Sequence, residues 1–305
     1  MANSVELQKI VIEGTASGPH TLITGGVHGD EYEPMVAIRR LAAELCADQV
    51  SGRLTLVPVV NEGAYVLKQR CGADDLDLAR VCPGKADGSI TERTAHALSE
   101  LIETADYYID LHTGGQICQV LPFSGYSLHA DAKILEMQRQ MARAFNLPFI
   151  WGTVAGLKGR SLSVAHDAGI PAIYAEYLGS GVCSESGVRA YTEGCLNVMS
   201  VLGMIDRTHL DSYIEYIVED ERSNAGHMQL HNPSPIAGFF EPSVTLGQLV
   251  REGVELGTVS DVAGRDVRKV TCPHNGIVLT LRTRPRVEEG EFLAVIVEVD
   301  RPLNG

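Results

Sequence analysis

The sequence predicts an α/β domain with a mixed, mostly parallel sheet flanked by helices, followed by a small C-terminal β segment. Three observations lead there. Over the first two-thirds, short apolar runs alternate with amphipathic stretches of helical period, the pattern of strand–helix–strand units. One run, residues 54–60, is almost continuously apolar, as expected of a strand buried on both faces. After about residue 206 the helical period fades, and short β-like runs separated by glycine turns take over.

Residues 7–13 and 21–25 read as strands. Residues 34–46 read as a helix, with Val36, Leu41 and Leu45 at helical spacing. Residues 54–60 form the next strand. Residues 89–104 are predicted helical, because Ser89 and Glu92 stand at the spacing of a capping box. Residues 106–112 are a strand, and 132–145 are a helix rich in Leu, Met and Ala. Gly169 and Pro171 introduce a buried strand at 170–177, and 185–205 can form a long helix. Residues 211–224 are acid-rich and read as a connector. Beyond it, residues 239–240, 254–259, 267–271, 277–281 and 292–299 are β-like. Turns separate them at Gly247, Gly253, Gly264, Asn275-Gly276 and Glu289-Gly290, which implies a small β-barrel or sandwich. The expected organisation is a unit at 1–210 and a β unit at 226–305, with the boundary inside 206–226.

The bulk numbers exclude several classes. The 305 residues suffice for one large domain or two ordinary ones, and 45% hydrophobic with 21% charged residues is a globular composition. A formal net charge of −14 argues against binding nucleic acid, which needs clustered Lys and Arg. The longest apolar runs fall far short of the ~20 residues of a membrane span. The opening Met-Ala-Asn-Ser-Val-Glu-Leu has neither a basic nor an apolar leader region. Seven cysteines, at 46, 71, 82, 118, 183, 195 and 272, form no CxxC pair. Reduced thiols in a cytoplasmic protein fit this better than a disulfide framework or a cysteine-rich zinc site. The apolar helices leave a homo-oligomer open.

Chemistry concentrates in Gly26-Val27-His28-Gly29-Asp30-Glu31 and Asp110-Leu111-His112-Thr113-Gly114-Gly115. Two imidazoles and one carboxylate are the usual protein ligands of a catalytic zinc, with the fourth position left for water or substrate. His28 follows a strand, Glu31 lies near a helix start, and His112 ends a second strand. Carboxyl ends of strands are where open α/β sheets build sites. Asp110 shares the face of His112 and is expected to orient an imidazole from behind. Glu176, at the carboxyl end of a buried strand, is the candidate general base, since a carboxylate there is costly unless it is paired, hydrated or functional. Arg70, Arg80 and Arg160 are candidates for reading anionic groups, and an arginine near the metal could stabilise an oxyanion. Cobalt or manganese would suit similar ligands.

These segments resemble the succinylglutamate desuccinylase/aspartoacylase family, a branch of the zinc carboxypeptidase-like hydrolases, over nearly the whole chain. The marks are the His-Gly-Asp-Glu run at His28–Glu31, the Asp110-Leu111-His112 segment and the strand end Glu176-Tyr177-Leu178-Gly179. A fourth is Asp77-Leu78-Ala79-Arg80 followed by Pro83-Gly84. The resemblance implies one Zn2+ per chain, held by His28, Glu31 and His112, with Glu176 at the position of the catalytic Glu. Asn61 and Arg70 keep the spacing of the family's Asn and oxyanion-binding Arg. It further implies hydrolysis of a small N-acyl amino acid or related amide, with a substrate carboxylate at Arg80; Arg160, which matches no mark of the family, is expected to help anchor a polar or anionic substrate end. One departure matters: the family's Asn before that Arg is Ala79 here, which weakens the usual carboxylate clamp. The C-terminal segment resembles a biotinyl/lipoyl hammerhead, but its turn is His274-Asn275-Gly276 and lacks the Lys of a swinging arm. In the family this segment narrows the active-site mouth. His227, His231 and His274 read as structural or surface residues. The competing readings are a carboxypeptidase or amino-acid-conjugate hydrolase, an esterase, and a non-catalytic binding protein on the same fold.

Overall fold

The structure, a computed structural model, describes residues 5–208, 211–223 and 225–299. The outer ends of the two expected units, the boundary positions 209–210 and Asn224 of the expected connector lie outside the described residues. Strands β1 (Ile10–Glu13) and β2 (Ala16–Thr24) lead into α1 (Tyr32–Glu44), β3 (Ser51–Val57) and the short α2 (Glu62–Leu67). Then come α3 (Ile90–Ile102), β4 (Tyr107–His112), β5 (Cys118–Ser127), α4 (Ala132–Phe145) and β6 (Phe149–Thr153). They are followed by α5 (Ser161–Asp167), β7 (Ala172–Gly179), α6 (Glu185–Val201) and β8 (Tyr216–Asp220). After a single 3-10 turn at Met228–Leu230, the remaining elements are strands: β9 (Gly238–Pro242), β10 (Leu249–Val250), β11 (Glu255–Ser260), β12 (Val267–Thr271), β13 (Gly276–Arg282), β14 (Arg286–Val287) and β15 (Ala294–Val297).

The main sheet runs β1-β3-β2-β4-β7-β5-β13-β10, with β6, β8 and β15 attached beside it. Its centre is parallel: β3, β2, β4 and β7 all point the same way. Helices cover both faces. Ile38 and Leu41 of α1, Met141 and Phe145 of α4, and Tyr191 and Val198 of α6 pack with Ile109, Leu111 and Ile173. On the opposite face Leu98 and Ile102 of α3 and Val164 and Ala165 of α5 pack with Tyr108 and Ala172. Side chains alternate along a strand, so Tyr108, Asp110 and His112 of β4 share the face of Ala172, Tyr174 and Glu176 of β7. The capping box of α3 is formed: Ser89 Oγ accepts from Glu92 N at 3.3 Å and Glu92 Oε2 accepts from Ser89 N at 2.9 Å. None of the seven cysteines is in a disulfide. Among the described residues no helix is long and apolar enough to cross a membrane.

Five strands were not legible in the sequence; two of them, β10 and β14, are only two residues each, and the other three are longer. In β5, Pro122 and Gly125 break the strand-like pattern. The register shift between Val120 and Phe123 surrounds that proline, which cannot donate to a ladder. β6 is only five residues and contains Gly152. β8 corrects the expectation of a connector at 211–224. Its Tyr-Ile-Val-Glu-Asp run pairs in parallel with β6, and Glu219 is held by Tyr126 Oη and Arg139, so acidity there did not mean solvated coil.

The C-terminal strands also differ from a free-standing barrel or sandwich. β12-β11-β9-β14 form an open four-stranded sheet, while β10, β13 and β15 extend the main sheet. β13 pairs with β5 through Thr280–Val120, Leu281–Gln119 and Arg282–Cys118. One side of the β13–β15 pair, with Val278 and Ile296, packs on Phe240, Leu256 and Val259 of the small sheet. The other side, with Ile277, Leu279 and Val295, packs on Phe123, Phe149 and Trp151.

Candidate active site

Strand register assembles the site. Thr24 of β2 lies opposite Asp110 of β4, and His112 of β4 lies opposite Glu176 of β7. Neighbouring strands are about 4.8 Å apart, so residues distant in sequence become neighbours at one sheet edge. After β2 the chain turns through Gly26, whose φ of +63° favours glycine. His28 and Glu31 follow. Gly29 is required by a close approach: a Cβ there would lie 2.0 Å from the Ala64 carbonyl carbon of α2. Glu31 occupies the N-cap of α1 yet makes no cap hydrogen bond; its carboxylate reaches the two imidazoles instead.

His28, Glu31 and His112 bring their ligand atoms within 4.8 Å of one another. His28 Nδ1 lies 2.7 Å from Glu31 Oε1, and His112 Nδ1 lies 3.1 Å from Glu31 Oε2. The outer nitrogen of each ring meets a carboxylate: His28 Nε2 is 3.1 Å from Asp77 Oδ1, and His112 Nε2 is 3.1 Å from Asp110 Oδ2. This leaves both Nδ1 atoms facing inward. Asp110 is fully buried and also accepts from Thr24 Oγ1 at 2.8 Å and from Ser161 Oγ of α5. Thr113 N donates to Glu31 Oε2 at 3.1 Å, and Tyr191 Oη donates to the His112 carbonyl. Burial alone would raise the Glu31 pKa, but the attraction and hydrogen bonds of His28 and His112 hold it well below the ordinary range. Burial opposes charge on His112, yet Asp110 and Glu31 push its pKa well up. These two imidazoles and one carboxylate, steadied from behind, form a donor set that fits a divalent ion of zinc's preference.

Glu176 is 7% exposed, and its Oε2 has no hydrogen-bond partner among the described residues. Burial raises its pKa to about 8, against the lowering pull of His112. Arg70 lies across the cluster, with Nη1 3.4 Å from His28 Nδ1 and 3.8 Å from Glu31 Oε1. Its Nε and Nη2 donate to Asp77 Oδ2 at 3.1 and 2.9 Å. Arg80 stands exposed, Nη1 donating to the Ala79 carbonyl at 2.7 Å. Arg160 donates from Nη2 to the Gly226 carbonyl at 3.0 Å. A cavity of about 170 Å³ joins them; His28, Glu31, His112, Arg70, Arg80, Asp110, Arg160 and Glu176 all contribute to its wall.

Asn61 is the expected site residue that is not on that wall. Its side-chain oxygen accepts from Ala64 N at 3.1 Å and caps α2, a preferred use of Asn at a helix start. Asp77 is the residue whose part was not foreseen. One carboxylate meets His28, holds Arg70 and caps the turn Leu78–Arg80 through Ala79 N. Its place before Arg80 signals the cap, but nothing in the spacing points back to His28. Tyr174, Ser163, Met228, Thr280 and Phe292 also line the cavity without having been singled out. His227, His231 and His274 stay off the wall.

The profile of the succinylglutamate desuccinylase/aspartoacylase catalytic domain matches residues 17–202. The N-alpha-acetyl-L-2,4-diaminobutyric acid deacetylase of Halomonas elongata is 30% identical, over 95% of this chain and 85% of its own length. The crystal structure of a succinylglutamate desuccinylase/aspartoacylase from Rhodobacter sphaeroides superposes with a TM-score of 0.85 at 30% identity, covering 97% of this chain and 90% of that one. The product-bound ectoine utilization protein EutE (DoeB) from Ruegeria pomeroyi does so with a TM-score of 0.86 at 28% identity, covering 94% of this chain and 87% of its own.

Proposed function

Because the chain belongs to the succinylglutamate desuccinylase/aspartoacylase family, we propose that it is a zinc-dependent amidohydrolase cleaving the amide of a small N-acyl amino acid or related compound. The observation that carries this reading is the convergence of two inward Nδ1 atoms and the Glu31 carboxylate within 4.8 Å, in one cavity with Glu176, whose buried Oε2 has no partner among the described residues. Similarity to relatives named as deacylases supports amide chemistry. His28, Glu31 and His112 would hold one Zn2+, with Asp110 and Asp77 fixing the rings. When bound, such an ion would supply Lewis-acid polarisation of the acyl carbonyl and would make a water acidic enough to react near neutral pH.

The rest is the work of this chain's own groups. Glu176 takes a proton from the attacking water as the water oxygen bonds to the acyl carbon. Arg70 faces the cluster with a guanidinium that can hydrogen-bond the oxyanion formed at the carbonyl oxygen. Glu176 passes its proton to the departing nitrogen, the C–N bond breaks, and a carboxylate and an amine leave. Arg80 and Arg160 anchor an anionic end of the substrate. The C-terminal segment, through Met228, Thr280 and Phe292 in the cavity wall, narrows the mouth and favours small substrates over long peptides.

Two variants test this. Glu176→Gln should keep stoichiometric metal and lose at least ~100-fold in rate on N-acetyl amino acids, the low end for loss of a general base. His112→Ala should lose zinc by elemental analysis. A wild-type rate in the first, or full zinc retention in the second, rejects the assignment.

A further inference from the structure

The cavity wall holds three acids among the described residues, and each is committed. Glu31 is bound to both imidazoles, and Asp110 is bound to His112, Thr24 and Ser161. Glu176 is the residue assigned to move the proton. Three guanidiniums share the same wall, and neither Arg80 nor Arg160 makes an ion pair among the described residues; their hydrogen bonds go to backbone carbonyls. The interior thus offers an anion two guanidiniums without an ion pair among the described residues, whereas the one acid there with an unpartnered oxygen, Glu176, is the proton carrier itself. An ammonium group placed there would be desolvated beside like charges and could pair only by tying up the carboxylate that moves the proton, which is unfavourable.

The apolar part of the wall adjoins the arginine anchor. Arg160 donates to the Gly226 carbonyl, and a Cβ at Gly226 would sit 3.0 Å from Leu157 Cδ1. Two residues further on, Met228 lies 3.7 Å from Thr280 Oγ1 through its sulfur and packs in the same apolar cluster as Phe292. Carboxylate anchor and apolar wall therefore meet along one short stretch of chain.

We propose that the amino-acid half of the substrate carries an uncharged, apolar side chain lodged against Leu157, Met228 and Phe292, and bears no second amino group. This rests on the deacylase reading and departs from the Halomonas elongata relative, whose name specifies a diaminobutyric acid. Two probes that share acyl group and carboxylate isolate the side chain: Nα-acetyl-L-methionine and Nα-acetyl-L-2,4-diaminobutyrate. On the metal-loaded enzyme, kcat/KM should favour the methionine derivative at least ~10-fold, since burying an ammonium beside the arginines is costly. Calorimetry on the metal-loaded Glu176→Gln variant should show the same preference in Kd without turnover. Met228→Glu, which adds a carboxylate beside the apolar wall, should shrink the preference by about tenfold, a change readable on wild type and variant alike. Equal or better hydrolysis and binding of the diaminobutyrate derivative overturns the inference and leaves deacylation standing. Selective binding of the methionine derivative without hydrolysis of either supports the inference and overturns deacylation. Binding of neither overturns the inference.

Discussion

Glu176 sits opposite His112 with one oxygen unpartnered among the described residues, and its burial has a consequence for stability. With a folded pKa of about 8 against an ordinary 4.5, it keeps a proton in the folded chain that the unfolded chain gives up between those values. The stability of the metal-free protein therefore falls as pH rises from about 4.5 to about 8, by up to a few kcal/mol. Glu176→Gln mimics the protonated form. With chelator present it should match wild type at pH ~5 and exceed it at pH ~8, where the native carboxyl begins to ionise. Urea unfolding at the two pH values reads this; parallel wild-type and variant curves would refute it. Asp77 shows the opposite use of a carboxylate. Burial would raise its pKa, but His28 and Arg70 hold it well below the ordinary range, so it stays charged and fixes both groups.

At the scale of elements, the site depends on how closely the loop after β2 meets α2. A methyl at Gly29 would collide with backbone, at 2.0 Å from the Ala64 carbonyl carbon, and backbone cannot yield as a side chain can. Gly29→Ala should destabilise the protein by about 1–3 kcal/mol, the usual cost of overpacking, and should weaken zinc binding by displacing His28. Gly63→Ala, one residue from Ala64 and with its nearest neighbour at 3.6 Å, is the matched control. It should be neutral or slightly stabilising, because Ala is the better helix former. Denaturant melts of the two variants decide between a packing requirement and general sensitivity of this region. The same loop shows why α1 starts where it does: an acid at a helix N-terminus is favoured by the helix dipole, so Glu31 can serve the imidazoles without a cap bond.

For the whole molecule, β13 is the strand that makes the two halves interdependent. It is buried along its entire length, with the β13–β15 pair giving one face to the small sheet and the other to Phe123, Phe149 and Trp151. A chain ended after residue 210 would lose β13 and β8, leaving the outer edge of β5 and the β6 edge unpaired. Exposed apolar edges of this kind promote aggregation. Such a fragment should be largely insoluble or protease-sensitive, whereas the full chain should resist digestion; a soluble, cooperatively melting fragment would show that 1–210 folds alone.

Much of the site was legible locally. The ligand run needs a short, tight turn, so His28 and Glu31 announce themselves by spacing, and the parity of a strand puts Asp110 behind His112. Apolar periodicity located the strands and helices that carry them, and the box at Ser89 located a helix start. The meeting of His28 with Asp77, the diversion of Asn61 to a helix cap and the addition of β8 and β13 to one sheet were not legible. They depend on register and crossover between segments far apart in the chain, and no local propensity encodes which strand edges pair. By itself, then, the sequence determined the kinds of donor available and the faces they occupy. The tertiary structure decided which donors share a cavity, because only packing sets the few ångströms over which a carboxylate meets an imidazole.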